Sequence, residues 1–219
     1  MRIPLVEPYA ESAPEEVIYL PKDMYDRDPV LITNDKELAT FIKSVEKMVR
    51  GSLEYREYIS YLVNAQEMNI CSAFNAIGKE LGKKFRIEIH HEPFTLYDIS
   101  YIVYLNFINR GKKIDVFDIS EQVLDIHYRG MVGLLPLSKT VHELVHVGRV
   151  FLPLQYLDDG FMKFFDLYRE EIEQCSLKEP LEKKIQLSKM FNFKSNSVLQ
   201  KKYIYINNEG YDNIPQVAA

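Results

Sequence analysis

Tryptophan is absent from the 219 residues, and cysteine occurs only twice. Cys71 and Cys175 stand far apart, with no CxxC pair. That count excludes a disulfide framework and gives no basis for a structural zinc knuckle. It suits a reduced, intracellular compartment. Long apolar runs are missing as well. None approaches the roughly 18 residues of a membrane-crossing helix, so a membrane is not an expected partner. The opening residues, MRIPLVEPYAESAPEE, are acidic and carry proline. They lack the apolar stretch of a signal peptide. Internal repeats and low-complexity tracts are lacking too. Positive charge is in deficit, with a net charge of -5. That balance argues against a chain whose main task is coating nucleic acid. It leaves room for an enzyme with a local basic face, because charge is needed only where the substrate sits.

Apolar residues make up 47% of the chain, including 15 Tyr and 12 Phe, so a sizeable core is available. The length accommodates one large domain or two small ones. Residues 1–32 read as an irregular acidic arm punctuated by Pro4, Pro8, Pro14, Pro21 and Pro29, with VIYL (17–20) as a short strand. A helical N-terminal layer is expected over 33–84. In its first helix Asn34 or Asp35 is the cap, Leu38, Phe41, Ile42, Val45 and Met48 share one face, and Gly51 is the stop. The second helix runs from Ser52 to about Gln66.

IEIHH (87–91) is β-branched, alternates at first and reads as a strand. Thr95 and Asp98 have capping-box spacing, which starts a helix ending near Asn109 and Gly111. ISEQVLDIHY (119–128) reads as a short helix stopped at Gly130, and MVGLLPL (131–137) as a strand. Ser138 is positioned to cap the next helix, and Gly148 to end it. Beyond lie a short extended FLPLQYL, two amphipathic helices in DDGFMKFFDLYREEI and EPLEKKIQLSKMF, an edge strand in KKYIYIN (201–207), and a loose polar tail. Residues 169–219 therefore form C-terminal helices and a tail. The expected fold class is α+β and mostly helical.

Histidine is scarce, with five in all, and four of them fall in two clusters. His90 and His91 are adjacent, His142 and His146 are one helical turn apart, and His127 stands alone. Spacing of i,i+4 puts two imidazoles on one helix face, where they can share a metal. Thr140 to His146 spells TVHELVH, which contains the HExxH pattern of zinc peptidases. In that reading Glu143 is the general base, and Glu170 or Glu171 is a third ligand. His146 is followed by V-G-R-V, so the longer metzincin pattern is not met. The peptidase reading also leaves IEIHHEP unexplained. Cys71 and Cys175 read as plain buried or half-buried thiols.

Taken together, IEIHHEP and the later GLLPLSKTVHELVH resemble the HNH (His-Me finger) nucleases, which have a ββα-metal site. The nuclease colicins offer a similar version, with His-His on a strand and His-x-x-x-His on a helix. The resemblance covers residues 85–168, and the text after the helix, FLPLQYLDDGFMKFFDLY, is similar to that in HNH proteins of phage genomes. It implies a ββα-metal core with flanking helices and a helical insertion at 95–130. It implies His91 as the general base, with His90, His142 and His146 as metal ligands. The cofactor is then a divalent metal ion, Mg2+ or Zn2+ foremost, with Mn2+ or Ni2+ as alternatives. The implied partner is DNA, cleaved in the cytoplasm of a phage host. The terminal helical regions are free to dock a protein, and the oligomeric state is left open.

The family places an asparagine nine residues before the first helix histidine, and that position is Gly133 here. Asn106, Asn109 and His127, all in the insertion, are the candidates to replace it. Lys79, Lys83, Lys84, Arg86, Arg110, Lys112, Lys113, Lys139 and Arg149 gather in sequence around the two clusters. Among these, Lys83, Lys84, Arg86, Lys112, Lys113 and Arg149 are the expected phosphate contacts. Three functions remain in view: an HNH-type endonuclease, a zinc metallopeptidase built on 142–146, and a weakened HNH-derived module that binds DNA or protein.

Overall fold

Asn34 opens helix α1 (Asp35–Gly51) by accepting the Glu37 backbone N–H at 3.0 Å, and acidic residues fill the first turn. Phe41, Ile42, Val45 and Val49 form its buried stripe, at the i, i+3, i+4 spacing of one helix face. Val49 takes the inward place expected of Met48, which is half-buried. Helix α1 ends at Gly51, where the sequence places its stop. Ser52 makes the boundary: its hydroxyl donates to the Val49 carbonyl and accepts from the Tyr55 N–H, so one side chain ends α1 and starts α2 (Leu53–Asn64). The structure, a computed structural model, describes residues 32–72, 86–157, 160–190 and the backbone of 205–206. The strand expected at 17–20, the rest of the acidic arm, the basic stretch 79–85 and the polar tail lie outside the described residues.

Strand β1 (Ile87–His91) pairs antiparallel with β2 (Leu134–Ser138), with Ile87 opposite Ser138 and His91 opposite Leu134. Between them the chain makes two helices, α3 (Leu96–Asn109) and α4 (Val116–Tyr128). The expected capping box starts α3: Thr95 and Asp98 exchange both side-chain–backbone bonds. Helix α3 is buried on several sides through Leu96, Ile99, Ile102, Val103 and Phe107, because α1, α4 and α7 all pack on it. Asp115 caps α4, which starts three residues earlier than its apolar pattern suggests.

From β2 the chain passes directly into α5 (Lys139–His146). Ser138 holds the N-cap position but makes no side-chain cap bond there. Gly148 follows with φ +70°, the left-handed conformation that ends helices. Strand β3 (Val150–Phe151) pairs with β4 (Tyr205–Ile206), so the edge strand expected in 201–207 is present in part. The helix expected across 158–172 is two, α6 (Gly160–Leu167) and α7 (Arg169–Gln174), broken where Tyr168 leaves helical geometry. Helix α8 (Lys178–Met190) follows, before β4.

The main core joins residues from α1 to α4 and from α6 to α8, among them Ile42, Val45, Ile102, Ile119, Phe164, Ile172 and Leu181. A smaller cluster of Cys71, Leu135, Leu137, Val141, Val150 and Leu152 holds the hairpin to α5 and β3. The fold is α+β and mostly helical, and its small antiparallel hairpin is clamped between these two apolar clusters. Among the described residues no helix is long and apolar enough to cross a membrane.

Candidate metal centre

Side chains alternate along a strand, so His90 and His91 leave β1 on opposite faces. His90 turns toward α5, where its ring lies 5.1 Å from those of both His142 and His146. The three imidazoles offer ligand nitrogens that all lie within 4.8 Å of one another. The Nε2 atoms of His142 and His146 are 3.1 Å apart. Metal–imidazole bonds of about 2.0–2.1 Å in a tetrahedral site put two nitrogens roughly 3.3 Å apart, so the spacing fits a shared ion. Burial is graded: His90 is buried, His142 half-buried and His146 exposed. Three protein ligands with one open side is the arrangement of catalytic rather than structural metal sites.

Carboxylates hold two of the three rings. Glu88 lies two residues before His90, on the same face of β1, and its Oε2 accepts from His142 Nδ1 at 2.9 Å. That bond leaves Nε2 of His142 as the lone-pair nitrogen. Arg86 in turn pairs with Glu88 at 3.1 Å. Glu92, 3% exposed, reaches His90 Nε2 at 3.3 Å and forms an ion pair with Lys184 of α8. Burial, then the nearby charges of His146 and Lys184, push His90 down to about 3. Burial and the imidazoles of His90 and His146 also hold His142 below its ordinary value, against the pull of Glu88.

His91 faces the helical layer. Its Nε2 meets Nε2 of His127 at 2.9 Å, and Tyr55 stacks on its ring at 6.4 Å. Burial is the main cause that keeps His91 well below its usual value, with His127 and Arg50 adding to it. His91 nevertheless lines the same cleft as His90, His142 and His146, a space of about 360 Å³. Arg50, at the end of α1, and Arg86 bring positive charge to its wall.

Several expected residues lie elsewhere. Lys112, Lys113 and Arg149 do not line this cleft. Lys83 and Lys84 fall outside the described residues. Asn106 and Asn109 donate to Glu171 Oε1, at 2.8 and 3.3 Å, so neither they nor Glu171 belongs to the histidine group. Glu143 is 63% exposed in its side chain and pairs with Lys139 at 3.6 Å. Gly133 is tightly enclosed, since a Cβ there would lie 2.0 Å from the Glu92 carbonyl oxygen. Glu88 was findable by strand alternation from His90. Arg50, Tyr55 and Lys184 carry no sequence signal linking them to the histidines.

A three-histidine centre on a β-hairpin and helix, with a fourth and fifth histidine behind it, marks a protein with a candidate metal-dependent site. The profile of the bacteriophage G278-like virion protein family matches residues 15–211, and the chain belongs to that family. Its phage association follows from that membership. No curated protein and no solved structure matches the chain.

Proposed function

We propose that this phage protein is a metal-dependent endonuclease of the HNH type that hydrolyses DNA phosphodiester bonds. The observation that carries this reading is the shared cleft: His90, His142 and His146 converge there, and His91, the next residue of the same strand, is among its lining residues. His91 acts as the general base that takes a proton from water. His90, His142 and His146 hold one divalent ion. A bound ion would polarise the scissile phosphate and stabilise the leaving oxygen. Three imidazole donors suit Zn2+ or Ni2+ better than Mg2+, which favours oxygen ligands. Arg50 and Arg86 are placed to meet the phosphate backbone. Two free cysteines suit the reducing cytoplasm of an infected host.

The peptidase alternative needs Glu143 beside the ion. Its side chain is instead 63% exposed and pairs with Lys139. A second reading has an observation of its own: His91 is only 6% exposed. A site that binds metal without cutting would make this an HNH-derived binding module. The test is plasmid nicking by the purified full chain with Zn2+, Ni2+, Mn2+ or Mg2+. His91→Ala should abolish nicking while metal binding, measured by calorimetry, persists, and Glu143→Gln should nick normally. Undiminished nicking by His91→Ala would overturn the assignment. Metal binding with no nicking by the wild type would favour the binding module.

A further inference from the structure

The asparagine that HNH nucleases carry would have no room at Gly133, where any Cβ would collide with the Glu92 backbone. Helix α4 brings a different group to the back of His91. His127 is fully buried, and its Nδ1 lies 2.6 Å from the Val123 carbonyl oxygen. A carbonyl only accepts, so Nδ1 of His127 carries a proton. The Nε2 atoms of His127 and His91 are 2.9 Å apart, a distance that requires a single hydrogen between them. Edge contacts from Tyr55 and Tyr58, at 5.6 and 5.8 Å, enclose the His127 ring.

Such an aromatic wall disfavours a charged pair. With both rings neutral, His127 presents the bare Nε2, and the hydrogen belongs to Nε2 of His91. The bare nitrogen of His91 is then Nδ1. Burial acts in the same direction, lowering His127 to about 4.

We propose that His127 is a positioning residue that locks His91 in its Nε2–H tautomer, leaving Nδ1 as the atom that accepts the proton from water. The catalytic part rests on the nuclease reading. The tautomer itself does not. Helix α4, inserted between the two strands, thus supplies the group that Gly133 cannot.

The experiment uses the full chain with 15N-labelled histidine. Long-range 1H–15N spectra are recorded at neutral pH without metal and with Zn2+, and His91→Ala assigns the His91 signals. Wild type should show His91 protonated at Nε2 and His127 at Nδ1. His127→Phe should leave His91 a mixture of tautomers and lower the nicking rate on the order of 100-fold, with Zn2+ affinity and KM unchanged. His127→Gln, whose amide oxygen can accept, should restore the wild-type tautomer and much of the rate. An Nδ1–H form of His91 in the wild type overturns the proposal, even if the Phe variant fails to fold. So does a Phe variant with unchanged spectrum and rate. An Nε2–H His91 in a wild type that nicks no DNA upholds the tautomer lock and sinks the nuclease reading.

Discussion

Glu88 and Glu143 flank the same histidines, and their surroundings assign them different work. Glu88 is strand-borne and bonds His142 Nδ1, which sets which nitrogen of that ring is bare. Glu143 sits on the solvent side of α5, and exposed i,i+4 pairs such as Lys139–Glu143 contribute only about 0.3–0.5 kcal/mol. Glu88→Ala should therefore weaken Zn2+ binding about 10-fold or more, and Glu143→Ala should leave it unchanged, by competition with a chromophoric chelator. Equal losses in the two variants would remove the role given to Glu88. The HExxH pattern is legible at once in the sequence, but the glutamate that matters to the imidazoles lies outside it. Strand periodicity could have pointed to Glu88. Only the closed hairpin shows which histidine it reaches.

At the scale of elements, α8 is the piece whose role was least legible. Its sequence reads as an amphipathic helix, yet Lys184 reaches the buried Glu92 carboxylate behind His90. Removing one partner of a buried pair leaves an uncompensated charge, typically worth about 3–5 kcal/mol, whereas replacing both can be nearly neutral. Lys184→Met should thus destabilise the chain by about 3 kcal/mol in urea unfolding. Adding Glu92→Gln should recover most of that loss. Additive losses in the double variant would show that the two residues are not coupled. Helices α1 to α5 were largely legible, because caps and apolar stripes are local signals. The break at Tyr168 was not, since α6 and α7 continue one apolar pattern across it.

For the whole molecule, the buried histidines link folding to pH. Burial lowers His90 to about 3 and His127 to about 4, and keeps His91 well below its ordinary range. Unfolded histidines titrate near 6.5, so between these values the unfolded chain binds more protons than the folded one. Stability is then complete above about pH 6.5 and declines as pH falls toward about 4. The share from His127 is about 3 kcal/mol across that window. Urea midpoints of the metal-free chain from pH 7.5 to 4.5 should fall with acid, and His127→Phe should fall less steeply. A pH-independent midpoint would contradict neutral burial of these rings.

The sequence alone determined that four of five histidines form two clusters, and that a strand carries one and a helix the other. These are short-range facts, written in periods of two and 3.6 residues. The tertiary structure decided the rest. Closing the hairpin brought His90 to His142 and His146. Packing α4 behind β1 set His127 against His91, and seating α8 put Lys184 on Glu92. Each of these pairs joins residues dozens of positions apart. Their meeting depends on how buried helix faces pack together, which no local pattern encodes. Gly133 shows the same division: the sequence places a glycine there, and only the Glu92 carbonyl beside it explains why no side chain fits.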